Sequence, residues 1–324
     1  MAKFYWFLGH EQYQPEVLVR HAKVAELAGF DGLMVSEHFH PWVEDSGASG
    51  FAFTTLGAIA SMTEKVQLIT AVTTPLFRYH PAIVAQAAAT VDRLSGGRFS
   101  LGIGSGEMIN EAPLGIAFPE YKERAARLKE SVEIMRKLLD GEKLTFRGDY
   151  YITNNAKLYS PPLHKVPIYI AAAGSQTATL TGRIAEGLIT SVKKASESLD
   201  TVIKPAIEAS AGKKLDVLAT HWSVFAHSED EAWRALRSWR GLRSPSRGSA
   251  TDPQILQNEA DSLSKQDVIS SYSVLTSAQE FIDTYAPLVK DIKADIVGIQ
   301  STALDQEGLI DMIGKEVLPE LRKI

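Results

Sequence analysis

The stretch SEHFHPW, Ser36 to Trp42, sets an acid, two histidines, two aromatics and a proline within seven residues, directly after the apolar run GLMV. A folded interior tolerates few ionisable groups, so a cluster following a buried segment points either to chemistry or to a well-solvated loop. A second such stretch, LGIGSGEMINE (Leu101 to Glu111), carries Glu107 and Asn110 behind another apolar run. His38 and Glu107 are the candidates for proton transfer, because an imidazole titrates near neutrality and a carboxylate at a neighbouring loop mouth can share the task. His40 reads better as a hydrogen-bonded structural histidine.

Other chemistries fit less well. His38-Phe39-His40 has the H-x-H form of a metal site, but neither AAAGS (Ala171 to Ser175) nor TSVKK (Thr190 to Lys194) adds a histidine, so no metal site is expected. With no cysteine in the chain, thiol catalysis and thiolate ligands are excluded, and no serine lies in a G-x-S-x-G elbow. Gly102, Gly104 and Gly106 form G-x-G-x-G, which is not the dinucleotide fingerprint but lets backbone approach a flat or phosphorylated ligand. A polar pocket without its own electrophile or strong nucleophile suits a bound redox cofactor. A net charge of -5 and a pI near 5.9 give no basic footprint for nucleic acid. No apolar run approaches the ~18 residues of a membrane span, and a soluble cytoplasmic protein is expected.

The elements that must position these residues alternate. Strand-like runs at Lys3 to Gly9, Gly32 to Ser36, Gln67 to Ala71, Phe99 to Gly104, Ile168 to Ala172, Gly187 to Ser191, Leu215 to His227 and Asp295 to Ser301 are separated by helical segments. One helix carries a stripe at Tyr121, Ala125, Leu128, Val132, Met135 and Leu139, and KLTFRGDYYIT reads as a small hairpin. The strands are apolar on both faces, as parallel strands covered by helices are. Eight such units predict an α/β fold, a (β/α)8 TIM barrel with loop insertions, with a doubly wound sheet as the lesser alternative. Residues 1–324 read as one domain, with about 240–265 an insertion or mobile loop. The strand ends would then bring together Glu11, Glu37 to Trp42, Thr74, Gly106, Glu107, Asn110, Ala173, Gly174 and Lys194.

Several segments together, SEHFHPW, TTPLFRYHPAIVAQA, LGIGSGEMINE, PEYKERAARLKESVEIMR, GDYY and PIYIAAAG followed by GRIAEGLIT, resemble the F420-dependent glucose-6-phosphate dehydrogenases. These are a branch of the bacterial-luciferase-like flavin/deazaflavin barrels. The resemblance implies a homodimeric barrel with F420 in its C-terminal mouth, transferring a hydride between the carbinol of a sugar or other alcohol and the deazaflavin. It implies that His38 is the active-site histidine, Glu107 the active-site acid and Trp42 an aromatic bordering the substrate. Glu37 stands where the family commonly has an aspartate touching the cofactor. Thr74, Gly106 and Asn110 match cofactor contacts, the Ala173-Gly174 turn goes with them, and Ala71-Val72 falls where the family has a non-prolyl cis peptide behind the ring. Glu11 matches an acid near the substrate.

The chain departs from this pattern at the substrate phosphate. Of three cations used by the family only Lys194 has a match, the others falling at Asn258 and Ser271, while Arg240, Arg243 and Arg247 read as solvated charge on a mobile loop. Two alternatives stay open: an FMN-dependent monooxygenase or flavin reductase on the same scaffold, and a barrel that binds a flavin-like ligand without turnover.

Overall fold

The computed structural model of the protein describes residues 1–324. Eight parallel strands, β1 Lys3–Leu8, β2 Gly32–Val35, β3 Gln67–Thr70, β4 Phe99–Ile103, β5 Ile168–Ala171, β6 Gly187–Ser191, β7 Asp216–Phe225 and β8 Ile296–Thr302, pair in chain order. β8 pairs back onto β1, with Ile296 opposite Lys3 and Ile299 opposite Trp6, so the sheet closes. The structure is the expected (β/α)8 barrel, and the apolar runs place every strand within a residue or two.

Alternation along each strand divides the core in two. In β1, Phe4, Trp6 and Leu8 point out and join a large apolar layer beneath the helices, whereas Tyr5 points in. Tyr5, Met34, Ile69, Tyr169, Ile189, Leu218 and Ile296 fill the barrel interior. Two of these are tyrosines, and a Cβ at Gly32 or Gly187 would collide with the Tyr5 or Tyr169 ring, which is why those strands open on glycine.

The helices follow their sequence signals. Pro15–Leu27 has proline in its first turn and gives way to Gly29 at φ 89°. Tyr121–Leu139 buries Leu128, Val132, Met135 and Leu139 of its stripe. Leu144–Arg147 and Ile152–Ala156 form the predicted antiparallel hairpin. No helix is long and apolar enough to cross a membrane.

The stretch from Arg240 to Gln254 departs from expectation. Arg237–Arg243 is a 3-10 helix, and helices Pro253–Asp261 and Lys265–Ile269 follow before a short strand, Ser273–Leu275, adds to β7. This segment has a core of its own over the barrel mouth, in which Trp239, Leu256 and Ile269 pack with Trp42 and Ile109. Arg240, expected in solvent, is 3% exposed and makes paired hydrogen bonds to Asp45 (3.0 and 3.1 Å) and Asp261 (2.6 and 3.2 Å). A guanidinium can be buried where two carboxylates meet its fork, and here the helix Pro253–Asp261 and the loop after β2 supply one each.

Candidate active site

His38 follows β2 directly and its ring is nearly buried. Nδ1 donates to the carbonyl of His40 at 3.0 Å, which fixes the tautomer and aims Nε2 into the barrel mouth. There Nε2 lies 3.4 Å from Glu11 Oε1 and 3.3 Å from Glu107 Oε2. His40 thus contributes its backbone carbonyl here, while its own ring Nδ1 lies 3.3 Å from the Thr251 carbonyl. Burial disfavours the imidazolium, but Glu11 and then Glu107 outweigh it and hold His38 above the ordinary imidazole range. For Glu107 burial likewise opposes ionisation, yet His38 and Arg247 bring its carboxyl below the usual carboxylate value.

Each member of this set has a fixed support. Glu11, on the loop after β1, accepts the Ser36 hydroxyl at 2.5 Å, and Ser36 Oγ also receives the His10 amide at 2.8 Å. His10 is wholly buried between the Ser36 carbonyl and the Thr55 hydroxyl, and burial lowers its pKa, so it is structural. Trp42 stacks obliquely on His38 with centroids 4.8 Å apart. Glu107 opens a short helix, Met108–Glu111, whose Asn110 accepts the Phe39 amide at 2.8 Å and so ties the loop after β4 to the histidine loop.

The Ala71-Val72 peptide is cis, and both residues are partly exposed at the floor of the mouth. Beside them Thr74 is buried, and Gly106 at φ 85° has Thr74, Phe77 and Phe118 closing around the place a Cβ would occupy. Ala173 and Gly174 are exposed at the start of helix Ser175–Ile184, whose first turn has no side-chain cap and therefore leaves backbone N–H groups free. Glu37 is the candidate placed farthest from expectation. Both its oxygens are already engaged, one by the Thr73 hydroxyl and the other by Arg78 at 3.0 Å and Tyr79 Oη at 2.7 Å. Lys194 is exposed after β6, apart from this network. Asn258 accepts Gln254 on the outer surface.

A family model for luciferase-like monooxygenases matches residues 3–283. The chain belongs to this luciferase-like family. An F420-dependent glucose-6-phosphate dehydrogenase of Nakamurella multipartita is 37% identical to it over 97% of this chain and 95% of that protein. One from Microbacterium testaceum is also 37% identical, over 99% and 98%. Among solved structures, an F420-dependent secondary alcohol dehydrogenase in complex with an F420-acetone adduct superposes with a TM-score of 0.91 at 32% identity, covering 99% of both chains.

Within this luciferase-like barrel, sequence reasoning missed two groups at the mouth. Arg247 does not float in solvent: it contacts Glu107 Oε1 at 3.3 Å and lies over the Trp42 ring at 5.3 Å. In the same apolar cluster as Trp42, Phe7, Trp222, Trp239 and Tyr272 form a chain of aromatic contacts, Trp222 and Trp239 being closest at 4.7 Å. Strand parity was the available signal for Trp222, since Leu218 points inward and so does every second residue after it.

Proposed function

We propose that this chain is an F420-dependent oxidoreductase that moves a hydride between the carbinol of a sugar or other alcohol and the deazaflavin. The observation that carries this reading is His38 Nε2 set between Glu11 and Glu107 at the mouth, next to a partly exposed Ala71-Val72 floor. The residues present fit a flat anionic cofactor: the floor and Gly106 admit a ring face, and the open N–H groups at Gly174 to Gln176 suit a phosphate. Bound there, the deazaflavin would supply a two-electron hydride acceptor. The relatives named for F420 support the same assignment.

The chain's own residues handle the proton. Alcohol oxidation releases the hydroxyl proton as the hydride leaves, and neutral His38 accepts it at Nε2, the nitrogen that faces the mouth. Glu11 stabilises the imidazolium so formed, and Glu107 relays the proton onward. Trp42 borders the substrate and holds the imidazole face. Ala71, Val72, Thr74, Gly106, Asn110, Ala173 and Gly174 hold the cofactor, Glu37 acting from behind them through Thr73 and Tyr79, while Lys194 is at the substrate end. The same reading has residues 1–324 working as one domain, in a cytoplasmic homodimer.

Titrating apo-protein with F420, FMN and NADPH in parallel, and then following F420 reduction by alcohols, tests the proposal. Tighter binding of F420 than of FMN is expected, with NADPH not competing. Stoichiometric FMN in protein purified without F420, together with no F420 affinity, would transfer the assignment to the flavin monooxygenases of the same family.

A further inference from the structure

Behind the His38–Glu107 pair lies a buried charge cluster that the proton chemistry does not use. Arg78 Nη2 bonds Glu37 Oε1 at 3.0 Å and Arg78 Nη1 bonds Glu111 Oε1 at 2.8 Å. All three side chains are essentially out of solvent, at 5%, 2% and 0% exposure. One cation between two carboxylates leaves an excess negative charge, and the second oxygen of Glu111 has no partner at all. Burial raises the Glu111 pKa to about 7 against the pull of Arg78, so the cluster is close to neutral only when Glu111 carries a proton.

As a stabilising device this is poor, because apolar residues of similar volume often do as well as a buried ion cluster. Its position in the chain is more informative. Glu37 immediately precedes His38, and Glu111 ends the short helix that Glu107 begins. The guanidinium fork is therefore a rigid strut between the two loops that present the acid and the base. Asn110, bonded to the Phe39 amide, is a second tie between the same loops on the far side of His38; Thr73 and Tyr79 hold Glu37 to the loop after β3, and Arg78 alone carries it across to Glu111.

We propose that Arg78 is a positioning residue: its two-armed bridge from Glu37 to Glu111 sets the spacing between His38 and Glu107. The inference rests on the reading of that pair as the proton-handling groups. A geometry error of about 1 Å in such a pair costs on the order of 10²-fold in rate. A fork held at both ends resists that error, where a single-point lysine does not.

The test compares Arg78→Lys, Glu111→Leu and Glu111→Gln in the full chain, with His38 followed by NMR titration without cofactor and turnover followed with F420 and an alcohol. The charged groups around His38 are Glu11 and Glu107, Arg247 beyond Glu107, and His10, Glu37 and Glu111 behind. Arg78→Lys and Glu111→Leu are expected to let the His38 midpoint fall toward its ordinary value and to lower kcat about 10-fold or more, with KM within about 3-fold. Glu111→Gln is as neutral as leucine but still accepts from Arg78, and should restore both. Equal behaviour of the leucine and glutamine variants would assign the effect to charge alone and overturn the proposal, as would unchanged kcat and His38 midpoint in Glu111→Leu. Where Arg78→Lys fails to fold, the Glu111 pair decides. A His38 midpoint that responds as expected in a protein that never reduces F420 sinks the proposed reaction and leaves the strut in place. An active protein with an unresponsive midpoint does the reverse.

Discussion

The two sides of the barrel mouth are built on opposite principles. The loops after β1, β2 and β4 bring ionisable groups together, Glu11 and His38 nearly buried and Glu107 partly exposed, with Arg78 and its two acids buried behind. β7 and the segment after it face them with Trp222 on the strand and Trp239 and Tyr272 beyond it; of the segment's arginines, Arg240 is buried and turned outward to Asp45 and Asp261, while Arg247 is half exposed and reaches Glu107. On the proposed reaction, charge is held where the proton moves, and apolar surface flanks it. The difference teaches that the proton-handling groups of the proposed reaction come from the loops after β1, β2 and β4, while β7 and the segment after it add an aromatic wall and one arginine, Arg247, that reaches Glu107.

The most direct way to break this comparison is to attack the charged side. His38→Ala or Glu107→Gln should lower turnover by roughly 10²-fold or more, as loss of a general acid or base does, with the circular dichroism spectrum unchanged. Near-normal turnover in both variants would show that the charged chain is structural. The apolar side should respond in stability instead. Arg240→Ala leaves Asp45 and Asp261 without their shared partner, and since both acids keep partial contact with water the expected loss is about 2 kcal/mol in denaturant unfolding. Turnover of the folded variant should change little, and a large loss of activity at full stability would mean that this segment takes part in the chemistry.

How much of this was legible in the sequence depends on the range of the interactions. The eight strands were readable because an apolar run covered on both faces is a local signal, and the loop residues Glu11, His38, Thr74, Glu107 and Asn110 followed from strand order once the barrel was recognised. Arg240 was not, because one of its partners, Asp45, lies 195 residues away and nothing local distinguishes a docked arginine from a solvated one. Arg247 and Arg78 escaped for the same reason: their partners Glu107 and Glu111 sit 140 and 33 residues off. Trp222 is different, since its inward direction follows from parity with Leu218 and needed only to be read.

A smaller effect sharpens the roles within the charged side. Because His38 must be neutral to accept a proton, alcohol oxidation should rise with pH through a midpoint above the ordinary imidazole value of about 6.5. The charge of Glu11 is the largest single interaction that raises it, so Glu11→Gln should move that limb to lower pH. The accompanying stability has a defined sign. A raised folded-state pKa contributes stability that is complete below about 6.5 and is lost as pH rises through the raised value. The melting temperature of the parent protein should therefore fall more between pH 6 and pH 9 than that of Glu11→Gln. A limb that stays in place would remove Glu11 from the proton pathway.

The smallest effect concerns the substrate phosphate, and it tests whether the aromatic side recognises charge at all. Lys194 is the one matched cation, it is exposed, and the positions of the other two are Asn258, already bonded to Gln254, and Ser271. Of the three arginines that might replace them, Arg240 is consumed by two acids and Arg247 by Glu107 and Trp42, while Arg243 is exposed at the end of its helix and makes no ion pair. A single lysine offers a phosphate one charge-assisted hydrogen bond, about 1.5–3 kcal/mol before desolvation is subtracted, and burying a dianion can cancel that. Glucose 6-phosphate should thus show no large advantage in kcat/KM over glucose or simple secondary alcohols, and Lys194→Ala should change its KM only about two- to threefold, as loss of a surface charge pair does. A preference for glucose 6-phosphate of ~10³-fold, about 4 kcal/mol, would mean that Arg243 turns to meet the phosphate or that Arg247 leaves Glu107 to do so. In that case Arg243→Ala or Arg247→Ala would abolish the preference, and the division between a charged and an apolar side of the mouth would fall with it.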